Sequence, residues 1–99
     1  MEKIDAETLI KIGLKEDKKR ENSVQRVFFY ATDLDRTPQT VIEFYLYKKP
    51  IEGVSTLLKC WTKAEGGYGE NSIHLCNVLY LHQFQQALRI CGINFPIEI

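Results

Sequence analysis

Long apolar segments, clustered cysteines and a surplus of either charge are all missing from this sequence of 99 residues. No apolar run approaches the roughly 18 residues that a membrane-spanning helix needs, and the segment 1–5 is too charged for a secretory signal. Thirteen basic residues balance thirteen acidic ones. This balance argues against a dedicated duplex-DNA binder, because such proteins usually carry a basic surplus. These absences predict a small cytoplasmic protein.

Cysteine is scarce as well, with only Cys60, Cys76 and Cys91, and no two of them have Cys-x-x-Cys spacing. An odd number of cysteines among apolar neighbours predicts reduced thiols that behave as small hydrophobes. His74 and His82 could join them in a metal site, but structural zinc sites usually show closely spaced ligand pairs. We therefore predict neither a metal nor a cofactor.

What the sequence does contain is typical of one globular domain spanning 1–99, with 44% hydrophobic and 26% charged residues. Asp5 is a good helix N-cap, and Gly13 is a good helix stop, so a first helix is predicted from Ala6 to Ile12. Four strands are predicted at 24–32, 40–48, 54–63 and 72–81, followed by a helix at 82–91 that Gly92 ends. Residues 15–23 form a charged loop, and residues 93–99 form an apolar tail.

The predicted fold is therefore α+β: a four-stranded antiparallel meander with a short N-terminal helix and a C-terminal helix packed on one face, in the order α-β-β-β-β-α. The core is predicted from the positions that share a face within each element. These are Leu9, Ile12, Leu14, Val27, Phe29, Ile42, Phe44, Leu46, Leu57, Ile73, Leu75, Leu79, Phe84, Leu88 and Cys91.

The segment 31–37 contains the sharpest local motif, Asp33-Leu34-Asp35-Arg36-Thr37. It resembles the Asp-x-Asp-x-Thr nucleophile signature of the haloacid dehalogenase superfamily, which would imply an attacking Asp33, an acid/base Asp35 and a bound Mg²⁺. Arg36 replaces the usual glycine, however, and the next segment has the period of a strand rather than of the helix that fold requires. We interpret the motif as a turn with Asp capping, and no catalytic residue is predicted.

Aromatic and basic residues alternate along the predicted sheet. A candidate surface for single-stranded nucleic acid follows from them, comprising Arg26, Phe28, Tyr30, Tyr45, Tyr47, Lys59, Trp61 and Lys63. The strand order resembles that of Pur-alpha and Whirly single-strand binders, although none of their motifs is matched. The competing interpretation is that half of these aromatics are core and that the lysines solubilise the sheet, which the neutral net charge favours.

Both ends of the chain resemble a group of small uncharacterised proteins encoded by bacteria, their phages and mobile elements. Leu79-Tyr80-Leu81-His82-Gln83-Phe84-Gln85-Gln86-Ala87-Leu88 resembles their Tyr-Val-His-Gln-Leu-Gln-Asn-Leu ending. Residues 9–14 stand where that group has Leu-Leu-x-x-Gly-Phe. The resemblance implies a helix–sheet–helix fold and a phage or mobile-element context, with no assigned activity. At the strand-to-helix junction, His82 and Gln83 are predicted to cap amides of the helix's first turn.

Two main functions remain open from the sequence, beside a minor third hypothesis, a metal-dependent phosphatase at Asp33 and Asp35. The first is a non-enzymatic protein that binds another protein, for example a phage-encoded modulator of a host protein; the second is a single-stranded nucleic-acid binder. The tail adds an expectation about assembly, because Ile93, Phe95, Ile97 and Ile99 alternate with polar residues and proline at the period of a strand. Pro96 confines such a strand to a sheet edge. The tail could dock on its own domain or on the equivalent edge of a second copy, and the second alternative, a homodimer, is favoured because the predicted sheet has two open edges.

Overall fold

The computed structural model describes residues 2–31, 39–64, 67–68 and 72–94, and for 62–64 and 67–68 it describes the backbone alone. In chain order the described elements are α1 (Ala6–Lys11), β1 (Lys15–Glu16), β2 (Gln25–Ala31), β3 (Gln39–Ile51), β4 (Val54–Ala64), β5 (Gly67–Tyr68), β6 (Ile73–Cys76) and α2 (Leu81–Ile90). The predicted α+β class, with an antiparallel sheet and two helices, is confirmed.

The sheet has five strand positions rather than the four predicted. Its order is β1-β2-β3-β4, and both β5 and β6 pair with the remaining edge of β4 at different points along it. The extra first position arises because Lys15 and Glu16, assigned from the sequence to a charged loop, pair with Phe29 and Phe28. Two charged residues are too few to show a strand period, so the hydrophobic pattern could not reveal this strand.

Helix α1 has the ends that its sequence predicts. Asp5 accepts a hydrogen bond from the amide of Thr8 at 2.8 Å, as an N-cap does. Gly13 adopts a φ of 117°, and the amide of Leu14 donates to the carbonyl of Leu9 at 3.0 Å. This is a Schellman ending, and because both leucines are buried it fastens the end of α1 to the sheet.

Helix α2 ends in the same way. Gly92 has a φ of 74°, and the amide of Ile93 donates to the carbonyl of Leu88 at 2.9 Å. At its other end, Oε1 of Gln83 accepts a hydrogen bond from the amide of Tyr80 at 3.1 Å. Gln83 thus caps this junction, but its partners are the amides of Leu79 and Tyr80, just before the helix, and not the amides of the first turn that the sequence predicted.

A single apolar cluster fills the space between the helices and one face of the sheet. We call this covered face the inner face and the opposite one the outer face. The rings of Phe44 on β3 and Phe84 on α2 meet edge to face, with centroids 5.6 Å apart and planes at 64°. The predicted core residues buried in this cluster are Leu9, Ile12, Leu14, Ile42, Phe44, Phe84, Leu88 and Cys91. Val27 is buried as well, but it lies on the outer face and outside this cluster.

The phase of two strands differs from the prediction. On β2 it is Phe28 that is fully buried, directly opposite Phe44, while Phe29 is half-buried on the outer face. On β4, Leu58 is buried in place of Leu57. Each strand has apolar residues at adjacent positions, so a period of two does not specify which of them faces the core. The pairing with β3 settles it.

The end of the sheet also differs, because Asn77 interrupts the strand predicted to continue to residue 81. Asn77 has a φ of 57°, in the left-handed region that asparagine tolerates better than most residues. After this turn the alternation is reversed, so that Val78 is buried at 4% exposure and Leu79 is 38% exposed. Leu75, before the turn, lies opposite the buried Leu58, but on the edge strand it is 39% exposed. Leu46 and Ile73, also predicted as core, are half-buried at its margin.

Glu16 connects β1 to β2 through a two-point ion pair. Nε and Nη2 of Arg26 each donate to the Glu16 carboxylate at 2.8 Å. These hydrogen bonds are the main reason why the pKa of Glu16 falls from 4.5 to about 2. A carboxyl group with a lowered pKa in the folded state stabilises the fold fully above its unfolded pKa, and this contribution is lost as the pH falls through the folded value.

We expect the free energy of unfolding to decrease between pH 4.5 and about 2 in part because Glu16 becomes protonated. In the variant Glu16→Gln this titration is absent, so its stability should change less steeply across that interval. Urea unfolding followed by circular dichroism at several pH values measures both slopes. Equal slopes for the variant and the wild type would show that the ion pair does not persist in solution.

Candidate binding surfaces

The outer face of the sheet carries a regular array of side chains, ordered by the strand register. One row across β2, β3 and β4 contains Val27, Tyr45 and Leu57, the next contains Phe29, Glu43 and Lys59, and the third contains Ala31, Val41 and Trp61. Residues of the outer face are absent from the apolar cluster under α1 and α2. The outer face is therefore the side of the sheet that neither helix covers.

Aromatic rings surround a charged pair in this array. Glu43 and Lys59 are cross-strand partners, and Nζ of Lys59 lies 5.2 Å from the ring centroid of Tyr45. The Tyr45 hydroxyl donates a hydrogen bond to Oε2 of Glu43 at 2.9 Å. Trp61 lies half-buried one row beyond this group. The array offers flat apolar area with a compact polar centre.

The connection between β1 and β2 covers one end of the outer face. The amide of Asp17 donates to the carbonyl of Val27 at 2.8 Å, and Val27 is fully buried. Arg20 from this connection donates to both Asp17 and Glu43. Residues 15–23, predicted as a solvated loop, thus supply a strand and also an edge to the outer face.

Tyr45 is held in its protonated form by its surroundings. Burial is the main cause that raises the pKa of its hydroxyl above the ordinary value, and the hydrogen bond to Glu43 raises it further. The phenol therefore acts as a hydrogen-bond donor and a stacking surface at neutral pH.

The structure divides the predicted nucleic-acid surface between the two faces of the sheet. Tyr45, Lys59 and Trp61 lie together on the outer face, and Tyr47 is the cross-strand partner of Gln25 at its end. The side chain of Lys63 lies outside the described part of the chain.

The prediction is wrong for the three β2 residues of this surface. Arg26, Phe28 and Tyr30 belong to the inner face, where Phe28 is fully buried and Arg26 lies over its ring at 5.4 Å. The reason is the inverted phase of β2, which brings Phe29 rather than Phe28 to the outer face.

A second surface was not foreseen from the sequence. It is a groove of about 270 Å³ between β6 and α2, lined by Leu75, Cys76, Asn77, Val78, Gln83, Gln86, Ala87 and Ile90. We call it the edge groove, because β6 pairs with β4 on one side and with no described strand on the other. The sequence signal for it is indirect: Leu75 has the alternation of a core residue and lies opposite the buried Leu58, but its strand is at the edge of the sheet, which the strand pattern does not reveal.

The residues considered for metal binding or catalysis are scattered. Cys60 and Cys91 are buried in the core, where burial is the main cause that raises the pKa of both thiols, while Cys76 and His74 are exposed. Among the described residues, no three His, Cys, Asp or Glu side chains are placed to share a metal ion. Asp33 and Asp35 lie outside the described residues, and so do Phe95, Ile97 and Ile99 of the predicted interface. Ile93 is half-buried and packs against the core.

Comparisons with known proteins give no relatives: no family model, curated protein or solved structure matches this chain. Neither helix in the described part of the chain is long and apolar enough to cross a membrane.

Proposed function

We propose that this protein is a non-enzymatic binding protein, and that it holds a partner protein on the outer face of its sheet. The observation that carries the proposal is the grouping of Tyr45, Trp61 and Phe29 on the one sheet face that the helices leave uncovered. Aromatic residues are enriched at protein interfaces, and tyrosine and tryptophan dominate their energetic centres.

The electrostatics of the outer face favour a partner of mixed or neutral charge. Lys59 stands opposite Glu43 and over the ring of Tyr45, and Arg20 is bound by Asp17 and Glu43. The charges on this face are therefore largely compensated within the protein. A polyanion gains its affinity from cations that neutralise phosphates, whereas an apolar protein surface gains it by covering the rings.

Selection of displayed peptides on the immobilised full-length protein tests this proposal without a known partner. We expect enrichment of peptides rich in apolar and aromatic residues. Their binding should weaken about tenfold or more in the variant Trp61→Ala, because truncation of an interface aromatic commonly costs about 2 kcal/mol. The matched control is Ile10→Ala, since Ile10 is 52% exposed on α1, the helix that packs on the inner face through Leu9. Enriched peptides that bind Trp61→Ala as tightly as the wild type would contradict the proposal.

Single-stranded nucleic acid is the second candidate, because a lysine over a tyrosine beside a tryptophan is also an arrangement on which bases stack. Titration of a fluorescent oligonucleotide separates the two functions. A nucleic-acid binder should lose affinity steeply between about 50 and 200 mM salt. Lys59→Glu should then abolish binding and Lys15→Glu, at the far edge of the sheet, should reduce it less.

For the biological setting we propose the one that the sequence resemblance implies. A phage- or mobile-element-encoded modulator of a host protein would need a compact body and an uncovered recognition face. The array on the outer face supports that role, and the proposal does not depend on it.

A further inference from the structure

We infer that the edge groove is the contact between two copies of this chain, in which β6 of one copy pairs antiparallel with β6 of the other about a two-fold axis at Leu75. The inference is independent of the function proposed for the outer face. It differs from the tail exchange predicted from the sequence, because the contact is made by β6 and α2.

The two edges of the sheet are protected very differently. At one edge, β1 is two residues long and both, Lys15 and Glu16, are charged, which discourages pairing with another strand. At the other edge, the four residues of β6 contain neither lysine, acid nor proline. The edge that lacks the usual protection is the one beside the edge groove.

The direction of the main-chain groups on β6 follows from one hydrogen bond. The amide of Asn77 donates to the carbonyl of Thr56 at 2.9 Å, in the same register as the pairs between β4 and β6. Hydrogen-bonded pairs alternate along an antiparallel ladder. Leu75 therefore bonds to β4, while His74 and Cys76 turn their amides and carbonyls toward the open edge.

This arrangement selects one register for a symmetric pair. With the two-fold axis at Leu75, His74 of each copy faces Cys76 of the other, and all four outward groups of each β6 are used. With the axis at His74, His74 would pair with its own counterpart and Cys76 would have to pair with a residue outside β6. An axis at Cys76 would have the corresponding effect on His74. In the favoured register the two Leu75 side chains face each other across a pair without hydrogen bonds, where side chains approach most closely.

The composition of the edge groove indicates a second copy as its occupant. None of its eight lining residues is charged, in a chain of which 26% is charged. In a two-fold contact each residue meets itself or a near neighbour, so any charge there would face its like. Two large apolar residues that line this groove are exposed, Ile90 at 64% and Leu75 at 39%. Leu79, which is close to them in the chain but does not line the groove, is 38% exposed. Pairing would cover the first two with their own counterparts.

Sedimentation of the full-length protein and a cross-link test this inference together. We expect a dimer whose dissociation constant rises about tenfold or more in Ile90→Lys and is unchanged in Ile10→Lys, a matched isoleucine at 52% exposure on α1. In a Cys76→Ser background, Leu75→Cys should form a disulfide-linked dimer under mild oxidation, and Ile10→Cys should not. Circular dichroism establishes that each variant is folded.

Truncation after Asn94 distinguishes this dimer from the alternative that the chain's own tail fills the groove. If the contact is between two β6 strands, the truncated protein remains a dimer. A full-length protein that is monomeric up to sub-millimolar concentration overturns the inference. So does a monomer that dimerises only after truncation, because the tail then occupies the groove. A dimer equally weakened by Ile10→Lys, or one that forms no Leu75→Cys cross-link, places the contact elsewhere and overturns it too.

Discussion

Phe84→Ala is expected to lower the free energy of unfolding by about 3–5 kcal/mol, a large part of the roughly 5–15 kcal/mol that stabilises an ordinary domain. Phe84 is fully buried, and its ring meets that of Phe44 edge to face at 5.6 Å. Removing it opens a cavity at the contact that joins α2 to the sheet. Urea unfolding measured by circular dichroism gives the difference, and the milder variant Phe84→Leu provides a measurable value if the alanine variant is unfolded.

The matched control is Phe29→Ala, which should cost clearly less because Phe29 is half-buried on the outer face. The comparison also tests the phase of β2. Suppose that Phe29→Ala lowered the free energy of unfolding as much as Phe84→Ala, while Phe28→Ala lowered it only slightly. The side chains of β2 would then face the opposite way, and the assignment of Phe29 to the outer face would be wrong.

Asn77→Ala is the second substitution with a large expected effect, about 2–3 kcal/mol of destabilisation. Oδ1 of Asn77 accepts from the amide and the hydroxyl of Ser55 at 2.9 and 3.2 Å, and its Nδ2 donates to the carbonyl of Gly53 at 3.2 Å. All three bonds are exposed to solvent, so each contributes about 0.5 kcal/mol net, the low end of the usual range. The φ of 57° adds a conformational cost for alanine.

Two variants separate these causes. Asn77→Gly removes the hydrogen bonds but tolerates the left-handed conformation, so it should be more stable than Asn77→Ala by about 1 kcal/mol. Thermal and urea unfolding would detect the order. If alanine and glycine were equally stable, the left-handed turn between β6 and α2 would not be formed in solution.

The parts of the fold that the sequence predicted well are those with local signals. Asp5 and Gly13 define α1, and Gly92 ends α2, because caps and glycine stops depend on a few neighbouring residues. The strands β2, β3 and β4 were expected from their composition. The class and the order of the long elements follow from these signals alone.

The parts that the sequence predicted wrongly depend on pairing between distant residues. Phe28 and Phe29 are equally suited to the core, and only the register with Phe44 decides between them. Lys15 and Glu16 form a strand because they can pair with the free edge of β2. The sequence of a charged dipeptide carries no signal that predicts this pairing. Tertiary pairing outweighs local propensity at these sites.

Only part of the candidate surface was predicted correctly, again because the face of each strand depends on pairing between distant residues. Tyr45, Lys59 and Trp61 were expected on one face because they lie on two strands with clear alternation. The β2 members of the set were assigned to the wrong face with the rest of that strand. The edge groove was missed because it depends on the turn at Asn77 and on the position of Leu75 in an edge strand, where it is 39% exposed.

Trp61 provides the most direct measurement of the claim that a partner binds the outer face, because it is the only tryptophan in the chain. A peptide obtained by selection is titrated into the full-length protein, and Trp61 emission and its quenching by acrylamide are recorded until binding, followed independently by calorimetry, is saturated. A peptide without tryptophan is required. If the partner covers the outer face, the emission moves to shorter wavelength and quenching decreases in parallel with binding. Saturated binding with unchanged emission and unchanged quenching would show that the partner lies elsewhere on the protein.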